Sequence, residues 1–188
     1  MSRPKSDDKR SAILAAAIRV IASKGLGAAT AEIAKEAGDS NGSLFTYFET
    51  KADLLNQLYV ELRAESARAA LDGLPTESDV HEQLRHTWNQ WLRWATSCPE
   101  KRRALAHLDV SDDISPESRQ TVSRTMEGIA MLLSRSRENG PMRDVPKGFV
   151  VALMSALADS TVDFMIRDPA NADKHCMTAF DAVWRMLA

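Results

Sequence analysis

Apolar residues recur at helical spacing along almost the whole chain, and the apolar–polar alternation of a half-buried strand is almost absent. That period sets the expected fold class as all-α. Ile13, Leu14, Ala17, Ile18 and Ile21 make the first stripe, with Ser6 as its expected cap and Asp7 and Asp8 suited to the positive end of the helix dipole. Gly25 and Gly27 should stop it. Thr30 is expected to cap a short second helix buried through Ile33, Ala34 and Ala37, and Gly38 to end it. Ser40 is expected to cap a short third helix from Asn41 to Phe48. Thr50-x-x-Asp53 predicts a carboxylate form of the capping box, opening a fourth helix with Leu54, Leu55, Leu58, Tyr59 and Leu62 inward.

Gly73 and Pro75 mark a linker from Asp72 to Ser78. A fifth helix follows to about Ser97, with Leu84, Trp88, Trp91 and Ala95 on one side. Pro99 should open a sixth helix, through Leu108, and Pro116, after Ser115, a seventh with Val122, Met126, Ile129 and Leu133 on one stripe. Asn139-Gly140-Pro141 should stop it. An eighth helix is expected over about 146–167 and a ninth from there to the C-terminus, broken apart by Asp168-Pro169. The reading is thus about nine helices.

The chain of 188 residues is 44% hydrophobic with a net charge of −2, so a core can form and disorder is not expected. Residues 1–51 carry 8 Lys/Arg against 6 Asp/Glu, a net of +2, and the remainder a net of −4. That asymmetry suits a DNA-facing N-terminus on an acidic body. No stretch reads as long and apolar enough to span a bilayer, and the polar N-terminus has no apolar signal core. The expectation is a cytoplasmic protein with no membrane partner. Cys98 and Cys176 lie far apart, and His81, His86, His107 and His175 show no i, i+4 pair. No metal and no cofactor are expected. No nucleophile elbow, phosphate loop or paired catalytic carboxylates at a recognisable spacing can be found, so the chain is not expected to be an enzyme.

The segment Thr30 to Lys51 reads as helix, glycine-containing turn, helix. Its second helix, Asn41-Gly42-Ser43-Leu44-Phe45-Thr46-Tyr47-Phe48, offers one clear buried pair, Leu44 and Phe48. Gly42 costs such a helix about 1 kcal/mol against alanine. A core helix rarely has this composition. A helix that presses into a DNA groove does: glycine permits close approach, and Asn, Ser and Thr bond to bases or phosphates. Lys51, at the first position of the fourth helix, is a cation where the dipole favours anions, and a nearby phosphate would reverse that penalty.

The run Ile13-Leu14-x-Ala16-Ala17 … Gly25 … Thr30-Ala31-x-Ile33-Ala34-x-x-Ala37-Gly38-x-Ser40-x-Gly42-x-Leu44-Phe45-x-Tyr47-Phe48-x-x-Lys51-x-x-Leu54 resembles the DNA-binding domain of the TetR family. The resemblance covers about residues 8–62. It implies a three-helix helix-turn-helix domain over 6–50 and a helical effector-binding and dimerisation domain over 51–188. It implies a homodimer on a palindromic double-stranded operator, acting as a transcription regulator and typically a repressor released by a small-molecule effector. By position it implies base contacts for Asn41, Gly42 and Phe45, and phosphate contacts for Thr30, Ser43, Thr46, Tyr47 and Lys51, with Ser40 beside them at the helix start. The chain departs from the pattern at Asp39, where an apolar residue is usual, at Phe45 for the commoner tyrosine, and at Ala31, where some members place a base-reading arginine. Asp39 and Ala31 keep a second reading open: a helical ligand-binding or interaction module with degraded DNA recognition.

In the body, Trp88, Trp91, Met126 and Phe164 are candidates for the wall of an effector pocket, which would suit a hydrophobic or aromatic ligand. Core packing explains the same residues. Asp159 and Asp163, i, i+4 neighbours, are exposed carboxylates or pocket groups. Leu153, Leu157, Phe180, Val183 and Trp184 on the last two helices are the candidate dimer contacts.

Overall fold

The computed structural model describes residues 4–188. It contains ten α-helices and one 3-10 turn, and no strand among the described residues. The helices are α1 Pro4–Lys24, α2 Thr30–Glu36, α3 Asn41–Tyr47, α4 Lys51–Leu71, α5 Val80–Ser97, α6 Pro99–Asp109, α7 Pro116–Thr125, α8 Glu127–Ser136, α9 Lys147–Arg167 and α10 Ala172–Leu187. The turn Pro169–Asn171 separates α9 from α10. The chain is all-α, as its periodicity predicts.

Several stops and caps form as their residues dictate. Gly25 and Gly38 take φ of +75° and +72°, where L side chains are strained, and end α1 and α2. At Gly38 the chain closes a Schellman motif: Asp39 N–H donates to Ala34 at 2.9 Å and Gly38 N–H to Lys35 at 3.1 Å. Thr50 Oγ1 accepts from Asp53 N–H at 3.0 Å, and the Asp53 carboxylate accepts from Glu49 N–H at 3.1 Å. The capping box is therefore present, with the return bond one residue upstream of the usual one. Ser115 Oγ accepts from Ser118 N–H at 3.2 Å and caps α7.

Three expectations shift. α1 begins at Pro4, so Ser6 lies inside the helix and does not precede it. Ala29, with φ −74° and ψ 146°, holds the cap position of α2, which makes Thr30 its first helical residue. The expected seventh helix is two helices, α7 and α8, parted at Met126, whose φ −88° and ψ 3° interrupt the helix. Gly128 has low helical propensity and follows the break by two residues; a Cβ there would lie 3.6 Å from Leu71 Cδ1.

The chain forms two compact units, each described on its own. The first unit takes the N-terminal part up to Ala64 together with Cys98–Arg124. Its core is Ile13, Ala17 and Ile21 of α1, Ile33 and Ala34 of α2, Leu44 and Phe48, Leu54, Leu55, Leu58 and Leu62 of α4, and Leu105 and Leu108 of α6. Asn56 of α4 pins the loop before α7: its amide donates to Asp113 O at 2.8 Å, and its carbonyl accepts from Ser115 N–H at 2.8 Å. Arg63 pairs with Asp109 and lies over the Tyr59 ring.

The second unit takes Glu65–Ser97 and Thr125–Ala188. Leu84, Trp88, Leu92, Leu132, Leu133, Val150, Val162, Phe180, Val183 and Leu187 form its core. His81 meets the rings of Phe180 and Trp184 edge-on. Arg137 donates to Met142 O at 2.7 Å and Val145 O at 2.6 Å, closing the loop after α8. Gly140 of that loop lies against the end of α10, where a Cβ would stand 1.8 Å from Leu187 O.

By length and composition α9 could cross a membrane, with a mean hydropathy of 1.7 over its best window. This corrects the expectation that no stretch reaches that measure. The excess arises because α9 is apolar on both sides: Val150, Ala158 and Val162 face the unit's core while Phe149, Val151 and Ile166 are exposed.

Candidate nucleic-acid interface

α2, the turn through Gly38, and α3 form the helix-turn-helix of the first unit. Leu44 and Phe48 are both fully buried, as their spacing predicts, and the Arg10 guanidinium covers the Phe48 ring at 5.7 Å. Burying that pair turns the opposite side of α3 outward. Asn41, Gly42, Phe45 and Thr46 are exposed, and Ser43 and Tyr47 are half-buried. Phe45 keeps 41% of its surface accessible.

The polar groups on this side fall into two sets. Ser40 Oγ is spent on capping α3, accepting from Ser43 N–H at 3.2 Å, and Thr46 Oγ1 donates back to Gly42 O at 3.4 Å. Asn41 makes no side-chain hydrogen bond among the described residues, so its amide can both donate and accept. Gly42 has open space: an added Cβ would find its nearest neighbour, Ser40 Oγ, at 4.0 Å. Thr30 is the first helical residue, after the cap Ala29, and its hydroxyl has no hydrogen bond among the described residues.

Lys51 differs from the expectation of a cation held at an unfavourable dipole end. Its ammonium donates to Leu26 O at 2.6 Å, so a backbone carbonyl offsets the dipole penalty. Two N–H donors of the ammonium remain. Asp39, the acid in the turn, is also partnered. Lys9 Nζ of α1 lies 3.1 Å from its Oδ2, and Ser40 N–H donates to its Oδ1 at 2.9 Å. The Lys9 hydrogen bond, then those of Ser40 N–H and the Ser43 hydroxyl, hold the carboxyl below the usual carboxylate range. Lys9 is raised by the same pairing. Sequence reasoning missed Lys9: its residue type gives no sign of a partner thirty positions away.

In the second unit the candidate effector residues have different surroundings. Trp88 is buried; its indole N–H makes no well-formed hydrogen bond, although the Cys176 thiol, a weak acceptor, is influenced by it. Trp91 is half-buried, with its ring 6.3 Å from that of Trp94, whose Nε1 donates to Glu65 at 2.9 Å. Met126 is half-buried in the break between α7 and α8. Phe164 is 51% exposed, between the Arg167 guanidinium at 5.0 Å and the His175 ring at 5.8 Å. Phe164 is therefore a surface residue, and Trp88 a core residue.

The candidate dimer contacts also divide. Phe180 and Val183 are already buried within the chain, so they have no surface left to give a partner. This corrects their expected place. Leu153, Leu157 and Trp184 are half-buried. The open apolar side consists of residues that sequence reasoning passed over: Phe149 at 57% and Met177 at 62% exposed, with Ala152, Ala156 and Ala182.

Residues 13–58 match the profile described as "Bacterial regulatory proteins, tetR family". The fold is similar over almost the full length to solved structures of that family. A TetR family transcription regulator from Marinobacter aquaeolei VT8 is 26% identical, with a TM-score of 0.80 and coverage of 99% of this chain and 98% of that one. A regulator of the same family from Shewanella sp. PV-4 is 24% identical, with a TM-score of 0.81 and coverage of 94% and 96%. The TetR-like regulator LfrR from Mycobacterium smegmatis, solved in complex with proflavine, is 22% identical, with a TM-score of 0.67 and coverage of 93% and 94%. Residues 13–58 thus match the N-terminal domain of the tetR family of bacterial regulatory proteins, on a fold similar over almost its whole length to that of TetR family transcription regulators.

Proposed function

We propose that this regulator binds a palindromic DNA operator as a homodimer, represses transcription there, and is released by a small-molecule effector. The observation that carries the DNA part is α3 itself. Leu44 and Phe48 fix one side in the core, and the other presents Asn41, Gly42, Phe45 and Thr46 to solvent. In this reading Asn41, Gly42 and Phe45 face base edges, and Thr30, Ser43, Thr46, Tyr47 and Lys51 face phosphates, with Ser40 fixing the start of the helix. Residues 6–50 are the DNA-binding segment and 51–188 the effector-binding and dimerisation body.

The dimer face is the open side of α9 and α10, with Phe149, Ala152, Ala156 and Met177 at its centre and the half-buried Leu153, Leu157 and Trp184 at its margin. A two-fold dimer requires a two-fold operator, with recognition helices about 34–36 Å apart or a multiple of that. The effector is hydrophobic or aromatic, taken up beside Trp88, Trp91 and Met126, with Phe164 at the surface. The likeness to LfrR extends to the fold alone; its proflavine complex shows an aromatic ligand in a protein of this fold. The protein acts in the cytoplasm.

Selection of bound sequences from random DNA tests the reading. Recovery of a palindrome supports it, and recovery of no common sequence from a folded dimer refutes it.

A further inference from the structure

The described cations of the long first helix are held by acids of the same unit. Arg10 pairs with Glu61, Arg19 with Glu36 and Lys24 with Glu32, each at 2.6–2.9 Å. The Lys9–Asp39 pair differs in where its acid stands. Asp39 immediately precedes Ser40, the cap of α3, so the carboxylate is at the very start of the helix that carries Asn41 and Gly42. Its side chain is only 19% exposed, and its two oxygens are occupied by Lys9 Nζ and Ser40 N–H. Lys9 remains 56% exposed, and Tyr47 contributes to the electrostatic surroundings of its ammonium.

Sequence-independent binding to DNA is driven by cations that neutralise phosphates and release counterions. A lysine contributes to that sum only while its ammonium is free to meet a phosphate. At Lys9 the ammonium charge is already paired with an internal anion. Handing it to a phosphate would strand the Asp39 carboxylate beside the polyanion, where like charges repel. Base contacts from α3 draw nothing from this ammonium.

We propose that Asp39 withholds Lys9 from DNA phosphates, and so acts as a brake on sequence-independent binding. The proposal rests on the reading of α3 as the DNA-facing helix. Asp39, one of the residues that depart from the family pattern, lowers affinity for every sequence while leaving base readout untouched.

The test is a salt series with the full chain and a mixed-sequence DNA duplex, read by fluorescence anisotropy, on a double-mutant cycle. The variants are Asp39→Asn, Lys9→Gln and the two together; Asn keeps an acceptor for Ser40 N–H. Asp39→Ser is carried in parallel, and circular dichroism confirms the fold of each. Asp39→Asn should raise affinity for the duplex by about tenfold at low salt and steepen the salt slope by about 1 per subunit. Lys9→Gln alone should leave the slope unchanged. The double variant should return to the wild-type slope. If Lys9→Gln flattens the slope equally in both backgrounds, Lys9 already meets phosphate and the proposal is overturned. An unchanged slope in Asp39→Asn and Asp39→Ser overturns it too. If the wild-type chain shows no salt-dependent binding to any duplex, the DNA-facing reading of α3 itself falls.

Discussion

The ammonium of Lys51, the first residue of α4, donates to the carbonyl of Leu26 in the loop between α1 and α2, at 2.6 Å. One side chain thus ties the start of α4 to the segment that leads into the helix-turn-helix. Lys51→Ala should cost about 1 kcal/mol of stability through this bond. It should also weaken binding to all DNA sequences alike and reduce the salt slope by about 1 per subunit. Chemical denaturation and a salt series separate the two effects. An unchanged slope would leave Lys51 a structural tether alone.

Asn41→Ala should behave oppositely. Its amide is unengaged among the described residues, so stability should hardly change. Affinity for the selected operator should fall by about 1–3 kcal/mol, and affinity for random DNA much less. Full retention of operator preference in the variant would remove Asn41 from the set of base readers.

The open and closed sides of the last two helices give a paired prediction. Phe149→Asp and Ala156→Arg alter exposed positions and should yield a folded monomer in light scattering. Phe180→Ala empties a core position and should lower stability by about 3–5 kcal/mol. A dimer unaffected by both surface changes would place the interface elsewhere.

Gly140→Ala should destabilise the second unit for want of space, because its Cβ would stand 1.8 Å from the Leu187 carbonyl. The loop or the end of α10 must move, at a cost of about 1–3 kcal/mol. A melt indistinguishable from wild type would show that the loop yields freely.

The Lys9–Asp39 pair also sets a pH dependence. Asp39 is lowered in the folded protein, chiefly by its hydrogen bond from Lys9. Its contribution is therefore present above the ordinary carboxylate range and lost as pH falls through the lowered value. Lys9 is raised by the same bond, so its contribution is present below the ordinary lysine range and lost as pH rises through the raised value. The stability difference between wild type and Asp39→Asn should be flat around neutral pH and shrink toward both extremes. Denaturation of the two proteins across pH checks the shape.

What the sequence made legible was periodicity and punctuation. Leu44 and Phe48 are four apart on a short polar helix, and only one burial pattern satisfies them. Gly38 and Ser40 mark a stop and a start by their own chemistry. The position of Thr30 moved by one residue because Ala29, without a capping oxygen, still takes the extended backbone that precedes a helix. The misplacement of Phe180 and Val183 has a different cause. Both lie on α10, and a helical wheel shows which residues share an apolar face but not whether the chain itself or a partner covers that face. The partners of Lys9 and Lys51 lie 30 and 25 positions away in the chain, beyond the reach of any local pattern.

Gly42 offers a measure of something the isolated chain does not contain. Nothing in the folded protein crowds the place where its Cβ would be, and alanine is the better helix former there by about 1 kcal/mol. The fold therefore does not require the methyl group to be missing. Progressively larger side chains at this position act as feeler gauges: the smallest that leaves the melting temperature intact yet blocks the operator gives the clearance between helix and duplex.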